Sequence, residues 1–569
     1  MVKILLAPDD VGVNTKDEAG RSPLSYAAQY GNEAVVKILV ARDDVEVNTR
    51  DKKGRSPLSY AAQYGNEAMV KILFARDDVE VDTKDNHGRS PLSYGAQWGR
   101  EAVVKLLVAR NDVEVDFKDN AGRSPLSYAA QYGREVVVKL LVARDDVEVD
   151  TKDDSGRSPL SYAAQCRNEA VVKILVARDD VEVDTKDKSG RSPLSYGAQW
   201  GREAVVKLLV ARDDVEVDFK DNTGRSPLSY AAQGGSEAVV KLLIAQDGVE
   251  VESRDNSGRS PLSYAAEYGR EAVVRILATR EDVEVDTKDN SWRSPLSYAA
   301  QWGREAVVKL LVPRDDVDVN AKDEAGRSPL SYAGQYGREA VVKLLFTRDH
   351  LEVDSKDKSG RSPLSYAAIC GNEAVVKLLV ARDDVEVDTK NWYGRSPLSY
   401  AAEYGREAVV KLLVARDDVE VDSKDNSGRS PLSYAADYGH EAVVKILVAR
   451  DDVEVNSKDN SGRSPLSYAA ICGNEAVVNI LVARDDVEVD TKNRYGRSPL
   501  SYAAQWGREA VVKILLARDD VEADARDKSG RSPLSYAAQW RHSAVVKILA
   551  ARDGVGVDTN VKNGRSPLS

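Results

Sequence analysis

Apolar and polar positions along this chain follow one pattern that repeats every 34 residues. From Asn32 to Arg42, the residues Val35, Val36, Ile38, Leu39 and Val40 leave only a narrow polar stripe. This predicts a helix that must be covered on more than one side. Glu33 and Lys37 stand four apart in the favourable order, with Glu33 at the positive end of the helix. Upstream, Leu24, Ala27 and Ala28 give one apolar face to a shorter helix. Ser22 can cap that helix, Pro23 suits its first position, and Gly31 can end it. Asp43 to Lys53 then alternates polar with apolar through Val45 and Val47 before meeting glycine. That segment reads as an extended finger closing in a turn.

The hexapeptide Gly-Arg-Ser-Pro-Leu-Ser starts at Gly20 and returns every thirty-fourth residue to Gly564, with Trp292 as the single departure. Sixteen full copies occupy 20–563 without an insertion, preceded by a partial copy over 1–19 and followed by a truncated start over 564–569. A longer period of 102 residues is superimposed. Trp98 and Phe117 return as Trp200 and Phe219, and Ile369-Cys370 as Ile471-Cys472, so the array grew partly by copying blocks of three repeats. Layers stacked at about 10 Å predict a curved, elongated rod on the order of 160 Å. Each repeat touches only its neighbours, so imperfect copies are local weak points. Arg167 and Arg541 replace the glycine that ends a first helix, and Pro313 falls in the last turn of a second helix. Opening is expected to begin at these sites or at the ends. Neither end carries a polar capping repeat, which predicts a fragment or an incomplete gene model; irregular caps are the alternative.

A helix-turn-helix with a turn-tipped finger and a Thr-Pro-Leu-His-like start is the ankyrin signature. The chain resembles an ankyrin-repeat array over essentially its whole length. Ser22-Pro23-Leu24-Ser25 stands where that family has Thr-Pro-Leu-His, and Ala27-Ala28, Gly31 and Val35-Val36-Lys37-Ile38-Leu39 match later positions. It departs by a serine for the histidine, Tyr26 for a leucine, and one extra finger residue. The resemblance implies an all-α solenoid of two short antiparallel helices and a finger per repeat. The spacing and the Arg-Asp-Asp-Val-Glu-Val run also resemble long arrays of filamentous fungi, often the sensor part of larger NACHT-type proteins.

Composition narrows the function. The chain is 42% hydrophobic and 31% charged, in keeping with a soluble folded protein. A net charge of −12 argues against nonspecific binding to nucleic acid or anionic membranes. No stretch approaches the roughly 18–20 apolar residues a membrane helix needs. Cys166, Cys370 and Cys472 are odd in number and far apart, which fits a reducing, intracellular setting in the cytoplasm or nucleus.

The resemblance implies partner binding on a concave face built from finger tips and first helices. Two sets of positions vary on that face. The Tyr30 column holds Trp98, Trp200, Trp302, Trp506 and Trp540, beside a column rich in arginine that includes Arg406 and Arg508. Most finger tips are small and polar, whereas Trp392-Tyr393 and Arg494-Tyr495 are aromatic. Aromatics and arginine are enriched at interface hot spots. For the Tyr30 column, packing between repeats is the alternative; for the tips, it is chance drift against a neighbouring finger.

Arg21 and its equivalents either line the inner face as a positive ladder, or pair with acids of the adjacent finger such as Asp51. In the second case each contributes about 0–1 kcal/mol. A ladder would favour an acidic protein segment, with nucleic acid a distant second. His87, His350, His440 and His542 lie in different repeats, the acidic fingers lack the ligand pattern of a calcium loop, and the glycines form no phosphate loop. No catalytic residue, metal, cofactor or small-molecule substrate is expected. The reading is a non-enzymatic scaffold that binds another protein; a structural spacer inside a larger protein and an arginine ladder are the alternatives.

Overall fold

The structure, a computed structural model, describes residues 12–552. Most of the partial repeat expected over 1–19, the last finger of the array and the start expected over 564–569 lie outside the described residues. The chain divides into two compact units, Met1–Asn290 and Ser291–Ser569. Among the described residues, 32 helices stand in pairs, with no strand. Within each unit, every first helix packs on its own second helix and on the first helices of adjoining repeats.

The pair Pro57–Tyr64 and Glu67–Leu73 shows why these residues fold this way. Ser56 accepts from the Ser59 amide, and Pro57 opens the helix where a donor would be unpaired. Gly65, at φ 80°, ends it in the left-handed region. Leu58, Ala61 and Ala62 are buried, and alanine keeps the layers close. Met69, Val70 and Leu73 complete the core from the second helix. At the finger base, Val45 and Val47 are buried, as the alternation requires.

Second helices are shorter than the sequence implies. The first of them ends at Val40 and not near Arg42, because the Arg42 amide reaches back three residues to Leu39. Pro313 lies beyond its helix, Glu305–Leu311, and not in the last turn. Lacking a donor, it cannot make the bond that Ala41 makes to Lys37, so that helix loses a residue.

Polar contacts then join one layer to the next. Ser22 Oγ meets Ser25 Oγ at 3.2 Å and Thr49, in the finger that leads to the next first helix, at 2.9 Å. Arg76 Nη1 donates to the carbonyls of Val40 and Arg42 in the layer before, at 3.2 and 3.0 Å. Asp78 holds the other edge of that guanidinium at 2.7 and 2.6 Å. The recurring Arg-Asp-Asp run is thus a clamp on the carbonyl end of the preceding second helix, where a cation is favoured.

Among the described residues, three that bear a side chain have positive φ: Arg167 at 65°, Trp292 at 62° and Arg541 at 60°. Left-handed backbone costs such residues about 1–2 kcal/mol. Arg167→Gly is therefore expected to stabilise its layer by about 1 kcal/mol. Slower amide exchange in the helix Glu169–Val176 would register the gain; unchanged exchange would show the strain to be relieved elsewhere.

Candidate functional site

The face shared by fingers and first helices is organised by one turn carboxylate in most repeats. Asp51 Oδ1 accepts the amides of Lys53 and Arg55, both at 2.8 Å, and so closes the finger turn. Its Oδ2 accepts from Arg55 Nε at 3.1 Å and from the Tyr60 hydroxyl at 2.8 Å. The guanidinium lies 4.5 Å over the Tyr60 ring. At Asp85 burial acts to raise the carboxyl, but the Tyr94 hydroxyl, the Arg89 amide and the Arg89 guanidinium outweigh it and hold the group below the usual range. Burial and the bond to Asp85 push the Tyr94 hydroxyl well above its ordinary value.

Pairing with acids accounts for many of these arginines, one finger away from the sequence expectation, while Arg191, Arg225 and Arg497 bind a glutamine oxygen instead. Arg21 binds Asp17 at 2.9 Å, whereas Asp51 takes Arg55. The reason is local: aspartate and arginine bracket the same turn, so the carboxylate that captures the arginine amide also captures its side chain. In a second group the guanidinium swings to the end of its own first helix. Arg395 reaches Glu403 at 2.7 Å, and Arg429 reaches Asp437 at 2.7 Å. Arg429 there lies between the rings of Tyr434 and Tyr468, at 4.0 and 4.3 Å.

Finger tips are stitched together by an asparagine ladder. Asn120 Nδ2 donates to the Asn86 carbonyl at 3.0 Å, and Asn426 Nδ2 to that of Trp392 at 2.9 Å. Trp392 replaces one asparagine, and its indole N–H makes the equivalent bond to Lys358 at 2.8 Å. The ring nevertheless stays 66% exposed, and adjoining Tyr393 is 68% exposed. Tyr495 is 52% exposed; Arg494 donates to its hydroxyl at 2.6 Å and lies 4.8 Å over its ring. Both aromatic tips follow an asparagine where other repeats have the turn aspartate. Asn391 and Asn493 donate to Tyr400 and Tyr502, each at 2.6 Å, reversing the tyrosine bond. The sequence reading missed these two asparagines, although the Asp-to-Asn change beside each aromatic tip was visible.

The Tyr30 column forms a second row. Trp98, Trp200, Trp302, Trp506 and Trp540 stand about half exposed at the ends of first helices. Arginines two places beyond this column are fastened to the preceding repeat: Arg406, beside Tyr404, donates from Nε to the Ile369 carbonyl at 3.0 Å, and Arg508, beside Trp506, to that of Ile471 at 3.1 Å. Where Gly234 interrupts the row, a cleft of about 480 Å³ opens, lined by Gln199, Trp200, Gly235, Tyr268 and Arg270 among others. A Cβ at Gly234 would collide with the Gln199 carbonyl, so glycine lets the two first helices approach there.

A sequence model of a protein family described as ankyrin repeats (3 copies) matches residues 1–85, 77–153, 126–221, 212–289, 281–357, 347–425, 417–493 and 486–563. The chain belongs to the ankyrin-repeat family. Among curated proteins no relative matches it.

Two departures of this ankyrin array from its family have a structural account. Serine at the histidine position joins the Ser22–Ser25–Thr49 contact, and tyrosine at the leucine position reaches the turn carboxylate. Among the described residues, no three His, Cys, Asp or Glu side chains converge as a metal would require. His440 and His542 contact the Glu403 and Gln505 carbonyls at 2.9 and 3.0 Å, the positions filled by arginine in other repeats. Cys472 donates to Asp437 at 3.1 Å, and burial together with that carboxylate pushes its thiol up to about 11.

Tyr128 is buried and donates to Asp119 Oδ2 at 2.6 Å. Tyr128→Phe removes one bond to a charged acceptor and is expected to cost about 1.5–3 kcal/mol in that layer. Denaturant-dependent amide exchange of Pro125–Gln131 measures it. A loss under half a kilocalorie would show that water replaces the hydroxyl.

Proposed function

We propose that this ankyrin array is a non-enzymatic scaffold that binds another protein through the face shared by its finger tips and first helices, with no cofactor. The observation that carries the reading is the presentation of Trp392, Tyr393 and Tyr495. They are large aromatics, exposed to solvent, yet two of the three are fixed by hydrogen bonds from an indole or to a hydroxyl. Holding such side chains in place before binding lowers the ordering cost that a partner must overcome. Exposed aromatics serve hot spots better than they serve a solvated turn. Trp506 and Trp540 extend the same face in the second unit, as Trp98 and Trp200 do in the first, and Arg406 and Arg508 steady the backbone beside the row.

Capture of acidic segments or nucleic acid by an arginine ladder fits less well. Those guanidiniums are already engaged, by turn carboxylates or by an acid or glutamine at the helix end, and stack on tyrosines. Three unpaired cysteines accord with a reducing compartment. No helix among the described residues is long and apolar enough to cross a membrane.

Affinity capture from cell extract, comparing the wild-type array with Trp392→Ala/Tyr393→Ala/Tyr495→Ala and with Trp98→Ala/Trp200→Ala, tests the proposal. A protein retained by the wild type and depleted at least tenfold by the triple variant is the expected result. Identical captures by all three, with unchanged circular dichroism, would favour a structural spacer.

A further inference from the structure

At the base of each finger one position carries asparagine in some repeats and aspartate in most. Asn14, Asn48, Asn320 and Asn456 each make two bonds to the next repeat. Asn48 Oδ1 accepts the Glu80 amide at 2.9 Å, and its Nδ2 donates to the Asp78 carbonyl at 2.6 Å. Asn320 does the same with Glu352 and His350, both at 2.8 Å.

Aspartate reproduces only half of this. Asp82 accepts the Glu114 amide at 2.9 Å, Asp150 that of Glu182 at 2.8 Å, and Asp354 that of Glu386 at 2.9 Å. In each, the other oxygen is buried without a hydrogen-bond partner, and Asp218, which takes the Glu250 amide, has its Oδ1 buried and bare in the same way. Since one oxygen takes the bond that asparagine Oδ1 takes, the second stands where asparagine presents its amide. An ionised carboxylate has nothing to donate, so there it opposes a backbone carbonyl, acceptor against acceptor.

We propose that the finger-base aspartates, Asp218 foremost, are proton-operated latches: each gains a hydrogen bond to the next repeat when it is neutral and loses it when ionised.

Burial is the main cause that pushes these carboxyls up, and Asp218 reaches about 6. The groups facing Asp218 are Lys220, Glu250 and Glu216; the Glu250 amide and Lys220 favour ionisation, while the two glutamates oppose it. At Asp82 the facing groups are Glu114, Asp112 and Lys84, with the same signs. The folded Asp218 therefore holds its proton to higher pH than the ordinary value of 3.8 in the unfolded chain. Its stabilising contribution is complete below that lower value and is lost as pH rises through about 6. Aspartates of the turn behave oppositely. Asp17, held down to about 2 by the Arg21 amide and its other partners, stays ionised across this window. Acidification thus tightens the finger base while leaving the turns intact.

The segment Val249–Arg254 is unlike its counterparts in the other repeats, so exchange at Glu250 can be followed by mass spectrometry. Hydrogen exchange of the full chain is measured from pH 7 to pH 4.5, beside Asp218→Asn, which is the residue other repeats already use. At pH 7 the variant is expected to protect Glu250 about tenfold more than wild type, and the difference to close as pH falls. Asn48→Asp should lose protection at Glu80 at pH 7 and regain it in acid. Parallel exchange of Asp218→Asn and wild type at every pH, or a pH-independent loss in Asn48→Asp, would overturn the latch.

Discussion

The carboxylate represented by Asp51 accepts from two turn amides, a guanidinium and a phenol, and these come from three different parts of a repeat. Without it the finger turn would lose its internal donors' partner, the arginine its counter-ion and the buried tyrosine its acceptor. A buried charge is tolerated only when so surrounded. The contact also fixes where the finger tip sits relative to the first helix. At the two aromatic tips Asn391 and Asn493 accept the same pair of turn amides, so Trp392 and Tyr495 are held by a neutral form of this contact.

The identity of successive repeats has a physical consequence. Within each unit, layers are covered by their neighbours and stitched by arginine clamps, asparagine rungs and serine–threonine contacts, so stability is a sum of similar local terms. A residue that departs from the pattern changes one layer and not the whole. That is why Arg167, Pro313 and Gly234 can each alter local geometry within an otherwise regular unit: one strains a cap, one shortens a helix, and one opens a cleft.

Helices, caps and the buried valines were legible in the sequence because spacing and capping chemistry decide them locally. Pairing was only partly legible. That Arg21 would find a carboxylate followed from composition; that it would choose Asp17 over Asp51 depended on a turn whose amides and arginine converge on one side chain. The Tyr30 column read equally well as packing or as surface, and the structure leaves its tryptophans half exposed. Asn391, Asn493 and the exchange of Asn48 for aspartate elsewhere were visible but carried no meaning in the sequence. Their meaning depends on which neighbouring atom is a donor, and a single sequence does not show that.

Binding by the aromatic tips is the claim on which the functional account rests. Hydroxyl-radical footprinting of the array, alone and with a captured partner, tests it most directly because tryptophan and tyrosine react in proportion to their exposure. The account predicts strong labelling of Trp392, Tyr393 and Tyr495 in the free protein and loss of that labelling in the complex. Protection confined to the second helices, with the three aromatics labelled as before, would contradict it.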